Sequence, residues 1–275
     1  EIDAYPRLTD FAAWRPQRTW KEWWEGDRKY VEMGSEGAYG GYYTKEDIAE
    51  LVSYAAARHI ELIPEIEMPS HSEEVLAAYP ELGCTGEPYK DSDFCVGNEA
   101  VFTFLETVLT EVMEMFPSEY IHIGGDEAGK EHWKTCPKCQ QRMADENISD
   151  VDGLQSYMIH RIGKFIASKG RKMIGWDEIL QGGLAPGAVV MSWRGTEGGI
   201  KAMEQGHDVI MTPGRYCYLD HSQDAPFQEP ESIGGYLPLD SVYVYEPVEP
   251  SIPADKLHHL KGVQANLWSE YIVTD

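Results

Sequence analysis

Tyr120-Ile121-His122-Ile123-Gly124-Gly125-Asp126-Glu127 is the stretch that decides the reading of this chain. An apolar, β-branched run predicts a strand. Two glycines break it, and two carboxylates follow at once. The glycines let the backbone turn sharply and approach a ligand closely. Asp126 and Glu127 therefore fall where the strand ends, the position of catalytic residues in β/α barrels. Two adjacent carboxylates in one low-dielectric cleft cannot both ionise easily, so one pKa should rise. A proton donor would then stand beside a fixed negative charge, which acid-assisted cleavage of a glycosidic bond requires. The plainer alternative is a helix N-terminus, where acidic residues favour the dipole. The strand, the paired glycines and His122 just before the turn weigh against it.

Outward from this stretch, strands and helices alternate. Strands are expected over 59–66, 120–123, 172–175, 188–192, 208–212 and 261–267. Helices are expected from a capped start at Thr44-Lys45-Glu46-Asp47, over 101–116, over 154–169 and over 199–205. Alternation of this kind predicts a parallel sheet with helices outside it. Polar and aromatic residues collect after the strands: His71, Asp126, Glu127, Trp176, Trp193, Tyr218, Asp220, Trp268 and Glu270. Chemistry gathered on one face is the habit of a barrel. The expectation is one partial α/β domain over residues 1–275. It would be a TIM (β/α)8 barrel without its first two strands and last helix.

Composition sets wider bounds. A chain of 275 residues accommodates one large domain. The formal net charge of -24 disfavours nucleic acid and anionic membrane surfaces as partners. No apolar run approaches the roughly 18 residues that would span a bilayer. Eight Trp and sixteen Tyr offer stacking surfaces for sugars, although aromatics also fill cores. Cys84 and Cys95 flank a polar loop that a disulfide could close. Cys136-Pro137-Lys138-Cys139 has the spacing of half a zinc site or a redox pair. No second close pair follows it, so a local structural role is read there. Cys217 reads as a lone buried thiol. No metal and no cofactor are expected.

His122-Ile123-Gly124-Gly125-Asp126-Glu127 resembles the signature of the family 20 glycoside hydrolases, the β-N-acetylhexosaminidases, and further family segments recur in order along the chain. The resemblance implies Glu127 as general acid/base and Asp126 as the residue orienting the substrate's 2-acetamido group. That group's own carbonyl oxygen would attack the anomeric carbon to give an oxazolinium intermediate. Tyr218 resembles the tyrosine that hydrogen-bonds the acetamido oxygen. Trp176, Trp193 and Trp268 resemble the tryptophans that wall the sugar pocket, and Asp220 and Glu270 the acceptors for the 4- and 6-hydroxyls. His71 ends Pro64-Glu65-Ile66-Glu67-Met68-Pro69-Ser70-His71, similar to the family's Pro-Glu-Ile-Asp-Met-Pro-Gly-His. Glu67 and Ser70 are departures from that pattern. Asp177-Glu178 is a second acidic pair, but a tryptophan precedes it, and only a supporting role is assigned.

The family's sugar-binding Arg and its His-Leu-Thr-Asp-Asp segment have no counterpart, so the chain is read as starting in mid-domain. The implied partner is a glycan ending in an N-acetylhexosamine, and the implied location is extracytoplasmic in a bacterium. Two alternatives stand. One is an ordinary two-carboxylate β-glycosidase with Glu178 or Glu270 as nucleophile. The other is a sugar-binding protein with an incomplete site.

Overall fold

The structure is a computed structural model describing residues 1–225 and 227–272. Its contacts group into two compact units, one of residues 1–16 and 29–188 and the other of residues 17–28 and 189–275.

The first unit holds three parallel strands, β1 (Glu65–Met68), β2 (Tyr120–Gly124) and β3 (Lys172–Trp176). β2 pairs on both sides, His122 lying opposite Glu65 on one strand and Ile174 on the other. It is buried from Ile121 onward, which explains its uninterrupted apolar run. The longer helices of this unit are α1 (Lys45–Ala56), α2 (Glu99–Met115), α3 (Pro137–Asp145) and α4 (Val151–Ser168). α1 begins in the expected capping box, with Thr44 and Asp47 bonding each other's backbone. Asn98 caps α2 and Asp150 caps α4. α2 buries Val101, Phe102, Leu105, Val108, Leu109 and Val112 along one stripe. α4 does the same with Leu154, Met158, Ile159, Ile162 and Ile166. Burying such side chains is the main source of stability, about 1.5–3 kcal/mol each.

The second unit holds β4 (Val189–Ser192), β5 (Val209–Met211) and β6 (Leu260–Val263), with α5 (Glu197–Glu204) between the first two. β5 is parallel to both neighbours. Gly199 packs tightly in α5, since a Cβ there would lie 2.8 Å from Met211 and 2.9 Å from Val209.

All six expected strands are present. The boundaries of the first differ. A strand over 59–66 was expected, but residues 60–64 are irregular and pairing occupies Glu65–Met68. His59, at φ 57, leaves α1 in the left-handed region, and Ile60 and Ile63 are exposed. The ladder begins only where His122 N–H reaches the Pro64 carbonyl, at 2.9 Å. Strand six ends at Val263, so Trp268 lies in a loop beyond it. Tyr216 and Cys217 close a short helical turn, Gly214–Cys217, after β5.

Candidate active site

The turn after β2 is built from backbone that most residues resist. Gly124 and Gly125 have φ of 68° and 95°, and Glu127 follows at 50°. A Cβ on Gly124 would fall 1.9 Å from a Glu67 carboxyl oxygen, so that side chain lies flat against the glycine. Gln155 of α4 donates to the Gly125 carbonyl at 2.8 Å and holds the turn from the other side.

β1, β2 and β3 each place acidic or aromatic groups on this turn. Glu67 accepts Gly125 N–H at 3.0 Å and Met68 N–H at 3.1 Å. Burial, then the charges of Asp126 and Glu65, push its pKa up to about 10. Its carboxyl is therefore protonated near neutral pH and hydrogen-bonds Asp126. Asp126 Oδ1 is buried, with no N–H or hydroxyl donor on it among the described residues. A proton held on Glu67 answers that need. The sequence points to a raised carboxyl within the Asp126-Glu127 pair, whereas the rise falls on Glu67. Glu127 is 56% exposed in its side chain and Asp126 16%, so their surroundings already differ.

His71 spans the pair. Its Nε2 lies 3.5 Å from Asp126 Oδ2 and 3.3 Å from Glu127 Oε2. The hydrogen bond to Asp126, reinforced by both carboxylate charges, raises its pKa to about 9 against the opposing pull of burial. His71 is therefore held as an imidazolium at neutral pH, beside both Asp126 and Glu127. His122 is buried, and its Nδ1 accepts Gly124 N–H at 3.0 Å, which fixes the turn. Its ring lies 4.8 Å from that of Trp176. Trp176 donates Nε1–H to Glu65 at 2.9 Å and is 2% exposed, so its indole packs behind the carboxylates. Asp177 and Glu178 are buried in the 3-10 turn Asp177–Leu180.

The second unit carries the other expected residues. The rings of Trp193 and Tyr218 lie 6.1 Å apart, after β4 and β5. Tyr218 forms a parallel bridge with Asn266, so the segment leading to Trp268 runs beside it. Burial raises the Asp220 carboxyl, whose buried Oδ1 has no hydrogen-bond partner among the described residues. Trp268 is 38% exposed and Glu270 is half-buried.

Two groups of candidate metal ligands converge in the first unit. One is His71, Asp126 and Glu127 themselves. The other is Cys84, Cys95, Cys136 and Cys139, all free thiols, so no disulfide closes the 84–95 loop. Cys217 is a buried free thiol, as read. Glu67 and the cysteine cluster were missed from the sequence as site features. The substitution at Glu67 within a known segment was a signal for the first, and the Cys136/Cys139 spacing for the second.

Residues 1–275 match the family described as glycosyl hydrolase family 20, catalytic domain. A β-hexosaminidase of Porphyromonas gingivalis is 48% identical over all of this chain, which covers 34% of that protein. The chain spans 34–54% of the length of the first three curated relatives it matches. Among solved structures, a family 20 exo-β-N-acetylglucosaminidase from Vibrio harveyi, in complex with N-acetylglucosamine, superposes with a TM-score of 0.83. Sequence identity is 30%, covering 99% of this chain and 43% of that one. A β-N-acetylhexosaminidase from Bacteroides fragilis gives 0.78 at 31% identity, over 98% and 52%. The fold is that of the TIM-barrel catalytic domains, and the chain belongs to glycoside hydrolase family 20.

Proposed function

We propose that this chain carries the catalytic residues of a retaining exo-β-N-acetylhexosaminidase. It would remove terminal β-linked GlcNAc or GalNAc from glycans through an oxazolinium intermediate. The observation that carries the reading is the unequal pair after β2. Asp126 is largely buried and hydrogen-bonded, Glu127 is open to solvent, and His71 bridges them. One carboxylate is fixed to orient and stabilise charge, while the other is free to reach a leaving group.

In the first step Glu127, as the acid, protonates the glycosidic oxygen. The acetamido carbonyl oxygen attacks the anomeric carbon as the bond to the leaving group breaks. Positive charge then grows on the acetamido nitrogen, and the Asp126 carboxylate stabilises it. In the second step the Glu127 carboxylate takes a proton from water as that water attacks the anomeric carbon and the oxazolinium ring reopens. Two displacements at one carbon return the β configuration. Tyr218 would bond the acetamido oxygen, with Trp193, Trp268 and Trp176 as aromatic walls. Asp220 and Glu270 would accept sugar hydroxyls, and the unpartnered Asp220 Oδ1 favours that role. His71 would hold the two carboxylates in register. A glycan is the proposed partner and an extracytoplasmic site the proposed location, and no helix among the described residues is long and apolar enough to cross a membrane.

The test is turnover of a chromogenic β-N-acetylglucosaminide, with inhibition by a thiazoline mimic of the intermediate. Glu127→Gln should lose activity on poor leaving groups far more than on activated ones, which need no proton. Equal losses on both would remove Glu127 from the acid role. Hydrolysis of plain β-glucosides at a comparable rate would replace substrate assistance with the ordinary two-carboxylate mechanism. Binding without turnover would make the chain a sugar-binding protein.

A further inference from the structure

Cys84 and Cys95 bracket one loop, while Cys136 and Cys139 stand at the start of α3. The fold brings all four sulfurs within 4.8 Å of one another. Three of the separations are 3.7 Å: Cys84 to Cys139, Cys95 to Cys136, and Cys95 to Cys139. A disulfide needs about 2.05 Å and chooses one partner. Here Cys139 is equidistant from two cysteines, and so is Cys95. A tetrahedral zinc site with Zn–S of about 2.3 Å sets its sulfurs about 3.8 Å apart. The observed spacing is that of a tetrahedron's edges.

The surroundings suit thiolates. Cys95, Cys136 and Cys139 are buried and Cys84 is partly so, which excludes water from most of the shell. Cys136 precedes Pro137 at the N-terminus of α3, where free backbone N–H groups and the dipole favour negative charge. Gly97 N–H bonds the Cys139 sulfur. Gly97 also lets the chain pass close, since a Cβ there would lie 2.1 Å from the Lys138 carbonyl carbon. The lack of a second close pair in the sequence is thus made good by the fold.

We propose that Cys84, Cys95, Cys136 and Cys139 bind one structural zinc ion as a closed tetrathiolate site. The clip ties the 84–95 loop to the segment that follows the Asp126-Glu127 turn. That link is already drawn by Asp93, which accepts Lys130 N–H at 2.8 Å, and by buried Asp91, which meets His132 Nδ1 at 2.5 Å. Metal binding here does not depend on the sugar-cleaving reading.

The test is metal analysis of the chain purified without added metal or a histidine tag. Close to one zinc per chain is expected, and native mass spectrometry should show the same ion lost on acid denaturation. Cobalt exchanged into the site should give thiolate charge-transfer bands and the intense visible bands of tetrahedral sulfur ligation. Cys95→Ser and Cys136→Ser should lose at least tenfold in zinc content, while Cys217→Ser keeps it. The wild-type measurements decide the matter even if the serine variants fail to fold. Metal-free protein, with four titratable thiols or with disulfides in a non-reducing peptide map, would overturn the proposal. So would bound iron in place of zinc.

Discussion

Glu67→Gln should raise the stability of this protein, by an amount that grows with pH. Glu67 titrates near 4.5 in an unfolded chain and near 10 in the fold, so folding at neutral pH must add a proton to it. Below pH 4.5 the proton is present in both states and nothing is lost. From there to about pH 10 the cost rises by about 1.4 kcal/mol per pH unit, since the unfolded chain alone is ionised. At pH 7 this reaches roughly 3 kcal/mol as an upper value. Glutamine is permanently neutral and nearly isosteric with the protonated acid. Its amide oxygen can accept Gly125 and Met68 N–H, and its NH2 can donate to Asp126 in place of the carboxyl proton. At about 2–4 °C per kcal/mol, the variant's Tm should exceed the wild type's by up to roughly 10 °C at pH 7. The two should melt together at pH 4. Thermal melts across pH 4 to 8.5 make the comparison, with Glu67→Ala as the contrast. Alanine orphans two buried N–H groups and should destabilise by about 1–3 kcal/mol for each group left unpaired. A gap that is flat in pH, or a wild type that gains on the glutamine variant as pH rises, would mean Glu67 is ionised in the fold, and the account of the Glu67–Asp126 pair would fail.

Gly124→Ala should destabilise by at least about 2 kcal/mol, because φ is 68° and the new methyl meets the Glu67 carboxyl. A Tm within error of wild type would show that the turn relaxes freely. The His71 imidazole should titrate near 9 in an NMR pH series, and its pairing should stabilise the fold fully below about pH 6.5 and be lost as pH rises through about 9. His71→Asn should accordingly be less stable than wild type at pH 6 and equal to it at pH 10; an imidazole titrating near 6.5 would sink this. Asp126→Asn should lower kcat by about 10²–10³ with little change in KM, since asparagine cannot neutralise the charge that appears only as the oxazolinium forms. On a substrate with a 2-hydroxyl in place of the acetamido group, the same change should matter little, and an equal loss on both would refute the role.

The sequence exposed what depends on local pattern. Ile121 and Ile123 beside a glycine pair announced a buried strand and a turn, and both are present. α2 and α4 were legible because their apolar residues repeat at helical spacing. The start of β1 was not, because Ile60 and Ile63 look like strand residues yet lie exposed outside the ladder. α3 was passed over because its sequence, Pro137–Asp145, is mostly polar and buries only Cys139, so no apolar stripe marks it. What hid best were relations between distant segments. Nothing near Cys84 or Cys95 points to residues 136–139, and their convergence is a product of the tertiary fold.

Glu67 shows why a charge state is harder to read than a motif. Asp126 and Glu127 are adjacent, so a sequence invites the inference that their mutual repulsion decides which carboxyl keeps its proton. Adjacent residues at a turn can nevertheless face different surroundings, and these do, one largely buried and one open. The carboxyl forced against Asp126 comes from the neighbouring strand, carried by a residue whose backbone N–H contacts and burial are set by β1 and β2 together. The family pattern has the shorter aspartate at this point. The extra methylene of glutamate extends the carboxyl's reach, here onto the α-carbon of Gly124 and the amide of Gly125. That placement turns a third carboxyl into a proton-holding brace for Asp126, while Glu127, the more exposed of the adjacent pair, meets His71 instead.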